Sequence, residues 1–341
     1  MAVQTSGILE FGPSVCPEHH LITARSHLID RIVAACEIIR LPEKQVGGGR
    51  LEYARKQHAA APPDTGKRGL MPFRKPAETK TLRDTVFFDF RLRNPQNWAH
   101  FLNNHLPICF ALMDRTGLTP AEVTLILPAR TPGYIVKAAE FFGFNALPSD
   151  ATISGDAVTF ASEPWIGIRS VREEWASLPR VREILAQQKI HDAAPADQPE
   201  KVFLSRRGTR NLENEAEVEA YLAARGYVTI YPEDLPVAEQ LRLFEHAHSM
   251  VAIHGAGLAP LLYLSDAARL KQLVEIFPCG HMTDVFRVMA HQVGCNWIGV
   301  RGKIKPEHIA PAYDLDKPFL EYSLQSFEVD LASLELAFEM I

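Results

Sequence analysis

The residues best suited to chemistry centre on His254-Gly255-Ala256-Gly257-Leu258. An apolar run, Met250-Val251-Ala252-Ile253, leads into them, and an apolar segment, Ala259 to Leu264, follows. The run is short, partly β-branched and bounded by glycines, so it reads as a buried strand. Glycines let the backbone turn sharply and leave room for another molecule to approach. The segment after them is expected to be a helix, whose first turn offers unpaired N–H groups and a partial positive charge. That arrangement suits a phosphate or diphosphate. A tight strand-to-helix turn with no ligand would carry the same pattern.

A second cluster follows another apolar run. Lys201-Val202-Phe203-Leu204 reads as a strand entering the basic loop Ser205-Arg206-Arg207-Gly208-Thr209-Arg210. In open parallel sheets ligands sit beyond the carboxyl ends of the strands, so these arginines would emerge on the same edge as His254 and its glycines. Guanidinium forks match phosphate oxygens in a bidentate way. A solvated basic turn is the alternative. Glu275 lies within the apolar run Leu273-Val274-Glu275-Ile276, again near a strand's carboxyl end. A buried carboxylate is costly without partners, so Glu275 has either a structural partner or a ligand, such as a ribose diol, to bind. His100, two positions after Trp98, has a side chain that could act as a general base if it faced a cleft.

Several chemistries are disfavoured. The Rossmann dinucleotide fingerprint needs a third glycine, whereas the sequence continues Gly257-Leu258-Ala259-Pro260. Gly47-Gly48-Gly49 follows no buried strand, and the Walker pattern is missing. No Gly-x-Ser-x-Gly or Cys–His arrangement marks a covalent nucleophile. Asp314-Leu315-Asp316 spells the acid-x-acid pattern of metal-dependent sugar transferases, but without a preceding buried strand it reads as a loop. No metal is expected. The five cysteines are scattered and include no Cys-x-x-Cys, which fits a reducing compartment. A formal net charge of −5 argues against a general nucleic-acid binder. With no leader-like start and no run near the ~18 apolar residues that span a bilayer, a cytoplasmic protein is expected. Peripheral contact with the inner face of a membrane stays open.

The elements that must position these residues suggest two α/β halves. A chain of 341 residues favours two domains, and 47% hydrophobic with 23% charged residues argues against wholesale disorder. In the first half, strands are expected at Thr85 to Leu92, Val123 to Leu127 and Ala157 to Ala161. Helices are expected from Asn94-Pro95, interrupted or kinked at Pro107, and from Tyr134 to Phe142. Ala24 to Arg40 could hold a helix or two strands, and residues 58–80 read as an exposed loop. After a polar connector, His191 to Pro199, strands begin near Lys201, Tyr227, Ser249, Gln272 and Asn296 at nearly even intervals. Helices lie between them: Glu213 to Arg225, Pro236 to His248, Leu258 to Leu264 and Thr283 to Val293. Val237, Leu241, Phe244 and His248 share a helical face. Phe327, Leu331, Leu334, Phe338 and Ile341 mark an amphipathic terminal helix expected to pack back on the body. The division expected is 1–190, 200–320 and a terminal helix within 321–341, with largely parallel sheets.

Taken together, these residues resemble glycosyltransferase family 61. The clearest match comprises Ser205-Arg206 with Arg210, Asn214-Glu215, Glu239-Gln240 with Phe244 and Ala247, Val251 to Leu258, and Glu275-Ile276. Asn97-x-x-His100-Phe101 is an earlier, weaker one. Pro260 stands where the family more often has a small polar residue or Asn. The resemblance implies two Rossmann-like domains facing across a cleft, the glycosyltransferase B type, and an inverting, metal-independent transfer from a nucleotide sugar to a glycan acceptor. It points to the bacterial, capsular-polysaccharide branch. A UDP-sugar is the expected donor, as substrate and not cofactor. Arg206, Arg210, Asn214, His254, Gly255, Ala256, Gly257, Leu258 and Glu275 would bind it. His100 would be the base, with Asn97 in support. The alternatives are a nucleotide-sugar epimerase on the same fold and a non-catalytic nucleotide-sugar-binding protein. The oligomeric state is left open.

Overall fold

The computed structural model describes residues 7–9, 56–60, 78–91, 95–157, 179–193, 197–278, 281–283, 285–303 and 323–341. The expectations for Ala24 to Arg40, for the Asp314 motif and for most of residues 58–80 lie outside them. The described residues form a mixed α/β chain with two mainly parallel sheets in two compact units, as a Rossmann-like fold requires.

The first sheet contains β2 (Lys56–Ala60), β3 (Thr79–Asp89), β4 (Val123–Leu127), β5 (Asn145–Pro148) and β6 (Thr152–Ala157), in the order β2-β6-β3-β4-β5. β3 to β6 run parallel, and β2 closes the edge antiparallel to β6. Residues 58–60, and Thr79 and Lys80 at the other end, therefore lie in strands and not in the exposed loop expected over 58–80. Lys56-Gln57-His58-Ala59-Ala60 has no apolar alternation, and its pairing with β6 is long-range, so no local pattern announces it. β6 begins earlier than expected, at Thr152, and residues 158–161 of the expected strand lie outside the described residues. At the carboxyl end of β3, the Arg91 guanidinium is buried against Asp89 at 2.7 Å and donates to the Ala151 carbonyl at 2.6 Å, tying that edge to the start of β6.

The helix after β3 does not begin at Asn94-Pro95. It starts with a turn at Trp98–His100 capped by Asn97, passes through a π-helical segment, Phe101–His105, and continues as α1 (Leu106–Thr116). Pro107 does not end it, and the helix continues to Thr116, close to the limit expected for its continuation. The missing N–H falls in the first turn of α1, and the wider π turn before it makes room for the proline ring. Gly117, at φ 72, closes the helix in the left-handed conformation that favours glycine. α2 (Gly133–Phe141) links β4 and β5, and α3 (Pro179–Gln187) follows the sheet.

The second sheet contains β7 (Lys201–Leu204), β8 (Val228–Ile230), β9 (Ser249–Ile253), β10 (Gln272–Phe277) and β11 (Asn296–Arg301), all parallel, each close to its expected start. β1 (Gly7–Leu9) joins antiparallel to β11, so the start of the chain contributes to the sheet of its second half. The order is β1-β11-β10-β9-β7-β8. One face packs Phe203, Val251, Ile253, Val274 and Ile276 against Val218 and Leu222 of α4 (Glu215–Ala223) and Leu334 and Ala337 of α7 (Leu331–Met340). Alternate residues, Ala252, His254, Glu275 and Phe277, fall on the other face, where α5 (Val237–His246), a 3₁₀ helix (Ala256–Tyr263) and α6 (Val285–Gln292) follow. α5 buries Val237, Leu241 and Phe244, but it stops before His248, which is exposed where the chain turns toward β9.

Candidate functional site

The second sheet reverses its strand order at β7. β8 lies on one side of it and β9 on the other. Crossovers leave in opposite directions from such a point and open a crevice beyond the carboxyl ends of the two strands. The loop after β7 carries Ser205 to Arg210, and the bend after β9 carries His254 to Leu258, so both predicted clusters meet there.

Arg206 reaches across from one strand end to the other. Its Nη1 donates to the His254 carbonyl at 2.9 Å, its Nη2 donates to Thr209 Oγ1 at 3.1 Å, and its Nε is buried with no hydrogen-bond partner among the described residues. A Cβ at Gly255 would collide with Nη1. The glycine at this position was expected to make room for a ligand. What it admits is the Arg206 guanidinium.

Arg210 lies close enough to be affected by the same charge. It adopts φ 60, which costs a non-glycine residue energy, and it is held there by the segment that precedes α7. Its N–H donates to the Leu324 carbonyl at 3.1 Å and its Nε to the Ser323 carbonyl at 2.5 Å. Burial first, and then the positive charge of Arg206, pushes Arg210 down to about 10. Burial also lowers Arg206, against a smaller opposing effect of Glu233. Among the described residues, no carboxylate lies within 4 Å of either guanidinium. Arg207 differs. It turns outward, pairs with Asp234 at 2.8 Å and stacks on the Tyr231 ring.

The helix after the bend is 3₁₀, not the expected α-helix over Leu258 to Leu264. Pro260 has no N–H to give an α-turn, and its ring would meet a carbonyl one turn back. The first helical N–H groups, those of Ala256 and Gly257, have no partner within the helix, and both residues are partly exposed. Leu258 is buried, and its N–H is used by the Gly255 carbonyl at 3.1 Å. Beneath the bend, Pro232 sits against Gly257, and Gln240 Nε2 holds the Pro232 carbonyl at 2.9 Å.

Glu275 has structural partners. It is wholly enclosed, with Oε1 2.6 Å from His254 Nδ1 and Oε2 accepting from Trp297 Nε1 at 2.8 Å. A direct contact from Glu275 to a ribose does not fit this enclosure. The His254 ring stacks on Phe277 with centroids 4.8 Å apart and lies 5.0 Å from His281. Burial raises Glu275 to about 8, against the hydrogen bond from Trp297. His254 is held well below the usual histidine range by burial first, then by Arg210 and Arg206. Although the distance is that of an ion pair, both directions favour an uncharged pair. Desolvation outweighs the mutual attraction of the two charges here.

Asn214 also departs from a ligand-binding role. Its Oδ1 accepts from the Val329 N–H at 3.1 Å, and its Nδ2 donates to the Val329 carbonyl at 2.8 Å and to Glu217 at 2.9 Å. With its amide fully engaged, Asn214 clamps the segment that holds Arg210. His100 and Asn97 belong to the other unit, on the turn that follows β3, where the first sheet reverses its own strand order between β3 and β6. Both are exposed. Asn97 Oδ1 accepts from the His100 backbone N–H at 3.1 Å, so it supports the turn and not the ring. The His100 ring meets Asn104 at 3.3 Å.

Sequence reasoning missed Trp297, His281 and the Ser323 carbonyl. His281 follows the carboxyl end of β10, so the strand-end rule could have found it. Trp297 opens β11, and nothing local links it to Glu275.

Fold and site together define an α/β protein with a cationic crevice at a strand-order reversal. The family model Glycosyltransferase 61 matches residues 98–270, just over half of the chain. The chain belongs to this family and is a glycosyltransferase, an enzyme with a donor and an acceptor substrate. The match includes His100, Arg206, Arg210, Asn214 and His254 to Leu258, and leaves out Asn97 and Glu275. Among curated proteins none matches the sequence.

Proposed function

We propose that this glycosyltransferase moves a sugar, with inversion and without a metal, from a nucleotide sugar to a glycan acceptor in surface-polysaccharide synthesis of the bacterial, capsular type. A UDP-sugar is the donor. The observation that carries the reading is the pair of desolvated guanidiniums, Arg206 and Arg210, with no carboxylate within 4 Å among the described residues. Two half-buried positive charges with no paired carboxylate among the described residues are costly, and a diphosphate relieves that cost. The N–H groups of Ala256 and Gly257 add donors on the same edge. As the sugar–phosphate bond breaks, charge accumulates on the leaving diphosphate. Fixed cations and N–H dipoles already aimed there stabilise it without reorganising.

On this reading the second unit binds the nucleotide and the first binds the acceptor, in an arrangement of the glycosyltransferase B type at the cytoplasmic face of a membrane. Asn97 and Asn104 fix His100 from opposite ends of its turn, which suits a base for the acceptor hydroxyl. Asn214 and Glu275 act through Arg210 and His254. A thermal-shift screen against UDP-, GDP-, CMP- and dTDP-sugars tests the donor assignment, since selective binding raises apparent stability. Arg206→Ala should weaken UDP binding by roughly 1.5–3 kcal/mol. Unchanged affinity in a folded variant would remove the site. Full turnover by His100→Ala, with acceptor present, would remove the base.

A further inference from the structure

We infer that Glu275 is a positioning residue that fixes His254 as a hydrogen-bond donor. One proton held between Glu275 and Nδ1 leaves the imidazole's other N–H on Nε2, and that N–H donates to the diphosphate. The inference rests on the proposed donor site.

The geometry constrains where protons can be. Glu275 has no exposure to solvent, and among the described residues its two oxygens have one hydrogen-bond partner each, His254 Nδ1 at 2.6 Å and the Trp297 N–H at 2.8 Å. A single neutral donor compensates poorly for burying a full negative charge. On the other side, Arg206 and Arg210 oppose a positive charge on the imidazole. The pair therefore carries one shared proton and no net charge. Two arrangements satisfy this, an acid beside a neutral imidazole and a carboxylate beside an imidazolium. In both, Nε2 carries hydrogen. Only loss of that one proton from the pair moves the ring's N–H to Nδ1 and leaves a lone pair on Nε2, which a phosphate oxygen repels.

Arrival of a diphosphate beside Arg206 and Arg210 cancels their opposition and favours the imidazolium. The proton then crosses from Glu275 Oε1 to His254 Nδ1, with none taken from solvent. The crossing leaves a carboxylate bonded to Trp297 and a charged donor toward the phosphate.

Among the described residues, the titratable groups facing this pair are His281, Arg206 and Arg210. His281 lies beside His254 and is held at about 3 by burial first, then by His254 and Arg210. Arg210 changes only near 10, and Arg206 starts from the same high guanidinium range. Among the described residues, Phe277, Phe286 and Trp297 also border the pair and do not titrate in the working range. With Glu275 near 8, the interval from pH 7 to pH 9 isolates the shared proton.

Calorimetric titration with UDP at the two pH values is the test. Wild-type affinity should be about tenfold weaker at pH 9, following the loss of the proton. In Glu275→Gln the amide N–H₂ donates to Nδ1 and the carbonyl accepts from Trp297, a mimic of the acid that cannot lose its proton. Its ratio of affinities at the two pH values should fall close to one. Nitrogen NMR of labelled histidines in the ligand-free chain, with the His254 signal assigned from His254→Gln, should show the Nε2–H tautomer at pH 7 and the Nδ1–H tautomer above about 8. An Nδ1–H tautomer at pH 7, a flat wild-type profile, or a Gln variant that falls in parallel with wild type would overturn the inference and leave the donor site standing. Failure to bind UDP at either pH would overturn both.

Discussion

Gly255 and Gly257 occupy one motif, yet they do different work. A methyl group at Gly255 would displace the guanidinium of Arg206, whereas one at Gly257 would come within 3.0 Å of the Pro232 ring edge. Gly255→Ala should therefore behave like a loss of Arg206, weakening UDP binding by about 1.5–3 kcal/mol with the fold retained. Gly257→Ala should change affinity by less than about 1 kcal/mol, because the proline edge need move only slightly. Calorimetry on the two variants, with circular dichroism to confirm folding, separates them. Equal losses would mean that the backbone bend, and not the arginine, is the sensitive feature. The three arginines of the neighbouring loop look alike in sequence. They divide by partner: Arg207 is paired with Asp234, while Arg206 and Arg210 have no carboxylate within 4 Å among the described residues.

The elements position these residues from behind. α7 covers the sheet face opposite His254, and Leu334 is fully buried there among Phe203, Val251 and Val300. Leu334→Ala should destabilise the chain by about 2–5 kcal/mol, measured by urea unfolding, since the cavity opens inside a rigid sheet-to-helix contact. The segment leading into α7 carries the carbonyls of Ser323 and Leu324 that hold Arg210, so loosening α7 should also lower UDP affinity. Helical periodicity made α7 legible. The 3₁₀ helix after the bend and the π turn before Pro107 were not, because each is the local answer to a proline within an otherwise helical stretch. Hydrophobic spacing does not distinguish the three helix types over one or two turns.

For the whole molecule, the buried pair gives stability a pH dependence of definite sign. Glu275 has a folded value of about 8 against an ordinary 4.5. Its stabilising contribution is therefore complete below 4.5 and is lost as pH rises through 8. His254 and His281 have folded values below 6.5 and act in the opposite sense, but their contribution is complete by 6.5. Between pH 6.5 and 8 only the Glu275 slope remains among these three, and stability should fall by on the order of 2 kcal/mol. Urea unfolding across that interval measures it, and Glu275→Gln should flatten the curve. A wild-type curve that rises instead would mean that Glu275 is ionised when folded. The two sheets share one plan, each reversing its strand order at the first of its parallel strands, β3 or β7. The candidate base follows one reversal and the proposed donor site lies at the other.

The sequence alone determined the parallel strands of the second half, the helices between them and the meeting of a glycine bend with a basic loop. Each of these follows from local apolar spacing and from the rule that strand ends in a parallel sheet share an edge. Tertiary structure decided what those residues touch. It gave Gly255 an arginine for a neighbour, enclosed Glu275 between His254 and Trp297, and assigned Asn214 to Val329. It also brought β1 and β2 to the sheet edges. Those outcomes depend on contacts between residues far apart in the chain, whose free energy comes from burial and desolvation and leaves no periodic trace in the residues themselves.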